Sequence, residues 1–137
     1  MGKVKARHVE PQFTTDSVGA IYGYAKGDLP AGGLIVATGA GSNCFIVEAA
    51  SNQSIRRSSG LLYVIKHAAT SGQRAAGKLF QVTPYAGDKK VKDGDAIWLG
   101  RDGAWTLTKP KQRAIQVGRI LGSGNTAQVL LAPQGRY

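Results

Sequence analysis

Punctuation is what most limits the fold of this chain. From Val18 onward, short β-prone runs alternate with turns rich in Gly, Pro, Asp and Asn. The runs fall at 20–24, 34–38, 44–49, 61–66, 78–83, 96–99, 105–108, 115–121 and 127–131. Nine such runs in about 115 residues match the spacing of a sandwich or small barrel. The 19 glycines supply the turns and leave little room for a helix. One helical alternative exists, at 68–76, and Gly72 interrupts it. The expected fold is therefore all-β: a small Gly-rich β-barrel or β-sandwich of about nine short strands.

The patterning inside the runs says which faces are covered. Trp105-Thr106-Leu107-Thr108 alternates cleanly, so Trp105 and Leu107 are expected to face the core and both threonines the solvent. Leu61, Tyr63 and Ile65 alternate with Leu62, Val64 and Lys66, a pattern for a strand covered on both sides. Two hairpins follow from turn chemistry. Gly100-Arg101-Asp102-Gly103 joins 97–99 to 105–108, and Gly122-Ser123-Gly124-Asn125 joins 115–121 to 127–131. Residues 84–95 form a longer polar loop.

Residues 1–18 differ from the rest. They are polar and charged, with isolated Val4, Val9 and Phe13, and are expected to form an extended N-terminal arm that reaches a partner. Residues 19–137 form one β domain in this division, a size at which a chain buries enough surface to fold without metals or disulfides.

Functional chemistry is sparse. Cys44 is the single cysteine and lies in the apolar run Cys44-Phe45-Ile46-Val47, where a buried, inert thiol is expected. His8 and His67 are far apart and lack carboxylates at ligand spacing, so no metal site is expected. The two glutamates, Glu10 and Glu48, form no evident catalytic pair. Asp16, Asp28, Asp88, Asp93, Asp95 and Asp102 mostly adjoin glycine, where Asp stabilises turns. No Gly-x-Ser-x-Gly elbow is present. Gly39-Ala40-Gly41-Ser42-Asn43 lacks the Lys-Ser/Thr of a phosphate loop and precedes a strand, so it is expected to be a hairpin loop. The expectation is a non-enzyme with no cofactor.

Eighteen Lys and Arg against eight Asp and Glu give a net charge of +10. The cations gather at Lys3/Lys5/Arg7, Arg56-Arg57, Lys89-Lys90/Lys92 and Lys109/Lys111/Arg113. The balance suits a solvated surface, an acidic protein shell or a polynucleotide. Tyr22, Tyr24, Tyr63, Phe80, Trp98 and Trp105 sit inside the β-prone runs, where core packing is the default, so no specific nucleic-acid readout is expected. No run reaches the ~18 apolar residues of a membrane span. The N-terminus lacks the apolar stretch of a signal peptide and the myristoylation pattern. Synthesis in a host cytoplasm is the matching expectation.

The C-terminal half carries a resemblance. Val91-Lys92-Asp93-Gly94-Asp95-Ala96-Ile97-Trp98-Leu99 continues through Gly100-Arg101-Asp102-Gly103 into Trp105-Thr106-Leu107-Thr108. Ile115-Gln116-Val117-Gly118-Arg119-Ile120-Leu121 and Ala127-Gln128-Val129-Leu130-Leu131 follow. This order of a Gly-Asp-x-hydrophobic strand, turn, Thr-rich strand, Val-Gly-x-hydrophobic strand and closing strand resembles the phage capsid cement, or decoration, proteins. Gly27-Asp28-Leu29-Pro30-Ala31-Gly32-Gly33-Leu34-Ile35-Val36 looks like their first hairpin. The resemblance spans residues 19–133. It implies a small β protomer, commonly a homotrimer, on the exterior of an icosahedral head, where it bridges major capsid proteins. Other virion parts, a head fibre base or spike barrel, and a basic nucleic-acid-binding barrel are the alternatives. Lys3, Lys5, Arg7 and Phe13 of the arm, with Arg56 and Arg57, are the expected capsid contacts. The chain's basic loops depart from the family pattern.

Overall fold

The computed structural model describes residues 21–41 and 44–137. The expected arm, with Lys3, Lys5, Arg7, His8 and Phe13, lies outside the described residues, as do Ser42 and Asn43. The described chain is all-β. Ten strands are present among these residues: β1 Ile21–Ala25, β2 Leu34–Gly41, β3 Cys44–Ala49, β4 Leu62–Ile65, β5 Arg74–Lys78, β6 Gln81–Pro84, β7 Ala96–Leu99, β8 Trp105–Thr106, β9 Gln116–Leu121 and β10 Gln128–Leu131. Two single 3-10 turns, Arg56–Ser58 and Gly124–Thr126, complete the regular structure.

The strands form two bodies. β1 to β5 close into a barrel in the order β1-β3-β2-β4-β5, with β5 returning to β1. β1 and β3 run parallel; the other barrel pairs are antiparallel. β6 to β10 make a second sheet in the order β6-β10-β9-β7-β8. Both hairpins argued from turn chemistry are there, with β7 antiparallel to β8 and β9 antiparallel to β10.

Side-chain alternation on β2 and β4 builds two cores. Ile35, Tyr63 and Ile65 point into the barrel and pack with Ile21, Val47 and Ala75. Leu34, Val36, Leu62 and Val64 point outward and pack against Ile97, Leu99, Val117, Ile120, Val129 and Leu131 of the second sheet. These strands are thus covered on both faces, as the alternation in 61–66 indicates. Backbone bonds reinforce the seam. The Leu34 amide donates to Gly103 O at 2.9 Å, Gly103 N donates to Ala50 O at 2.6 Å, and Asn52 N donates to Gly100 O at 2.9 Å.

Two expectations change. The run at 78–83 is two strands, because the chain leaves the barrel through Leu79 and Phe80 before joining the second sheet as β6. Residues 68–76 hold no helix, in keeping with the all-β expectation: Ala69 bridges to Leu29, a turn follows, and β5 begins at Arg74. The strand at Trp105 lasts only two residues. Trp105 and Leu107 do pack against the outer core, but both stay half-buried at the sheet edge, and Thr106 is half-buried beside them. Thr108 is exposed.

Candidate functional site

Arg56 and Arg57 are held within the molecule. Both follow Ile55 in the segment that climbs from β3 toward β4, and the Arg56–Ser58 turn fixes their directions. Arg56 closes a two-pronged pair on Glu48, whose Oε2 also accepts from the Thr38 hydroxyl at 2.6 Å. Glu48 is buried, and this environment holds its carboxyl at about 2, well below the usual range. The Arg56 hydrogen bond is the largest cause; the Thr38 bond helps, and burial opposes it. The same bond raises the Arg56 guanidinium. Arg57 reaches the other way, to Asp102 Oδ1 at 3.0 Å and Ala49 O at 3.3 Å, and so ties the barrel to the β7–β8 turn. Arg56 still leaves 56% of its side chain open. Arg57 is half-buried.

The outer face of β1 and β5 presents aromatic and basic side chains. β1 turns Ile21, Gly23 and Ala25 inward, which leaves Tyr22 and Tyr24 on the outside. β5 turns Ala75 and Gly77 inward and Arg74, Ala76 and Lys78 outward. Register sets Tyr24 beside Arg74 and Tyr22 beside Ala76. Beyond β5, a groove of about 540 Å³ is lined by Tyr22, Lys66, His67, Arg74 and Lys78 together with alanines. On the β3 side of Tyr24, a second groove of about 770 Å³ runs past Lys26, Thr38, Cys44 and Ile46 to the Glu48–Arg56 pair. Cys44 is half-buried at its rim rather than buried in a core, because β3 begins at that residue and the barrel wall ends there.

The edge of the second sheet is apolar. β6 is a terminal strand in the sheet order, paired with β10 on one side. Phe80 just before it is 61% exposed, and Leu79 and Val82 are exposed with it. Near the opposite edge, Lys109 Nζ stands 5.2 Å from the Trp98 ring centroid, a cation–π contact.

Aspartate serves turns here, as its glycine neighbours suggest. Asp95 Oδ2 accepts from Lys92 N at 3.0 Å, and Asp93 Oδ1 accepts from Gly122 N at 2.8 Å. No group of three or more His, Cys, Asp or Glu among the described residues could hold a metal ion. No helix among them is long and apolar enough to cross a membrane. His67 lies exposed at the basic groove.

The basic and aromatic face was missed at the sequence level because β5 was. Alternation of small and large residues in Ile21-Tyr22-Gly23-Tyr24-Ala25 is its one local signal. Only pairing with β5 shows that both tyrosines lie on a cationic surface. No protein-family model and no curated protein matches the chain.

Proposed function

We propose that this chain is a phage virion structural protein that binds the outside of an icosahedral head and cements neighbouring major capsid proteins, acting as a homotrimer. One observation carries the reading: an exposed apolar group, Leu79 and Phe80 in the connection that enters the terminal strand β6 and Val82 on that strand. A sheet edge of this kind offers unpaired backbone groups and apolar side chains together, the equipment for strand-to-strand contact with another chain. A cement protein needs many modest contacts multiplied by symmetry, because multivalent engagement raises avidity without any one strong contact. The two cores and the hydrogen-bonded seam give a well-packed body for that task.

Lys3, Lys5, Arg7 and Phe13 are the proposed arm contacts with the shell. Arg56 is a further contact through its open face, and Arg57 is a weaker one because Asp102 and Ala49 already engage it. Sedimentation of the purified chain and of a variant lacking residues 2–14, each mixed with empty heads, tests the proposal. The full chain pellets with heads to a fixed stoichiometry and has the mass of a trimer alone. The truncated chain stays folded and pellets poorly. Equal decoration by both would remove the arm from the contact, and no decoration by the full chain would remove the function.

A further inference from the structure

We propose that the groove over β3, between β1 and β2, binds a small organic monocarboxylate, its apolar body lying on Ile46 between Tyr24 and Gly39 and its carboxylate meeting Arg56 and Lys26. The inference does not depend on the cementing role; either can fail alone.

Strand parity sets the floor of the groove. Val47 points into the barrel, so Cys44, Ile46 and Glu48 share the outer face of β3. The parallel register puts Tyr24 of β1 beside Ile46, and the antiparallel register puts Gly39 of β2 on its other side. Tyr24 forms a wall open to solvent at 36%, and Gly39 has no side chain to cover Ile46. A trough of about 770 Å³ therefore stays open along β3. Small-molecule sites usually hold about 300–1,000 Å³. The β2 ladder shifts register between Ala37 and Gly39, and Thr38 at that irregularity donates its hydroxyl to Glu48.

One end of the trough carries the charge. Glu48 exposes only 9% of its side chain, and its carboxylate anchors the Arg56 guanidinium through two hydrogen bonds. Two of the five guanidinium N–H groups are engaged in this way, and the others sit on a side chain that is 56% open. A guanidinium already oriented by one carboxylate loses little freedom on meeting a second, and its planar fork matches that geometry. Lys26 lines the same trough and acts electrostatically on Glu48. Lys26 and Arg56 against Glu48 leave one positive charge, which selects a monoanion. A neutral apolar molecule would fill the trough without answering that charge, and a cation would be repelled. A dianion would bring a second charge that nothing here offsets. An apolar body bearing one carboxylate satisfies both the floor and the end.

The test is calorimetric titration of the full chain with 2-naphthoate, its neutral analogue 2-naphthalenemethanol, and acetate. Alkylation by iodoacetamide reports the place of binding, because Cys44, the single cysteine, is half-buried at the rim of the trough. Naphthoate binds with a Kd of about 10⁻³–10⁻⁴ M, the range for a ligand of roughly a dozen heavy atoms. At about ten times its Kd it slows alkylation by up to about tenfold, in step with the unliganded fraction. The alcohol lacks the charge and acetate lacks the apolar body, and each binds about tenfold more weakly. An added Cβ at Gly39 would meet that of Ile46 at 3.8 Å, an ordinary contact, so Gly39→Val folds and fills the trough. It weakens naphthoate by about tenfold and removes the protection of Cys44. Arg56→Lys keeps the charge and loses the fork, and weakens binding by about threefold or more. Thermal melting checks each fold; should Arg56→Lys fail it, Lys26→Gln at an exposed position carries the same expectation. Naphthoate binding that ignores Gly39→Val or leaves Cys44 unprotected would overturn the site. Equal affinity for the alcohol would overturn the role of the charged end, and the proposal with it.

Discussion

Leu34 donates its amide to the carbonyl of Gly103 at 2.9 Å, so the first residue of β2 hangs on the turn of a hairpin in the other sheet. Gly103 in turn donates to Ala50 O, has φ +89°, and would place an added Cβ 2.8 Å from the Pro30 ring. A turn that reads locally as a hairpin connector is thus also the seam between barrel and sheet. Gly103→Ala will lower unfolding free energy by about 1–3 kcal/mol, the usual cost of one strained backbone position. Urea denaturation measures it, and a midpoint unchanged from wild type would show that the seam tolerates a side chain there.

Acid will weaken the protein through Glu48. Its folded-state pKa, about 2, lies below the ordinary 4.5. Stability from the Thr38–Glu48–Arg56 cluster is therefore fully present above about pH 4.5 and is lost as pH falls toward 2. Thermal midpoints measured from pH 6 to pH 2 will fall more steeply in wild type than in Glu48→Gln. Parallel curves would mean that the carboxylate contributes nothing in that window.

The outer core and the β6 edge will separate stability from association. Ile120 is fully buried between barrel and sheet, and Ile120→Ala will cost about 2–5 kcal/mol. Phe80→Ser, at an exposed position, will change unfolding free energy by less than about 0.5 kcal/mol. If the proposed cementing role holds, the same substitution will weaken self-association or binding to heads, read by sedimentation velocity and pelleting. A Phe80→Ser protein that unfolds early would place that ring in a core instead.

Much of this fold is legible in sequence because one local rule, period-two alternation bounded by turn residues, governs most strands. The runs at 44–49 and 96–99 coincide with β3 and β7, and the two-sided covering of β4 follows from Leu62 and Val64 interleaving with Tyr63 and Ile65. What escapes is set by tertiary contacts. β5, Arg74-Ala75-Ala76-Gly77-Lys78, has no β-branched or aromatic residue and reads as a weak helix. It is a strand because it closes the barrel between β4 and β1. Gly77 is small for the same reason: a Cβ there would lie 2.8 Å from that of Tyr63, whose ring fills the interior. Missing β5 also hid the basic face, since Tyr22 and Tyr24 look like core residues until their neighbours are known. The pairing of Arg56 with Glu48, eight residues earlier, likewise depends on the path of the chain after β3, which no periodicity encodes.

Pelleting with empty phage heads, from low to high salt and alongside duplex DNA, tests the proposed cementing role most directly. Exposed ion pairs contribute only about 0–1 kcal/mol each and are screened over about 8 Å at physiological ionic strength. Head binding that also rests on apolar and backbone contact will therefore weaken only moderately with salt. Duplex binding by the same protein will fall steeply, with a slope near −0.9 per phosphate neutralised. Saturable decoration that persists at high salt is the predicted result; indifference to heads at every salt concentration, with tight and salt-steep binding to duplex DNA, would contradict it.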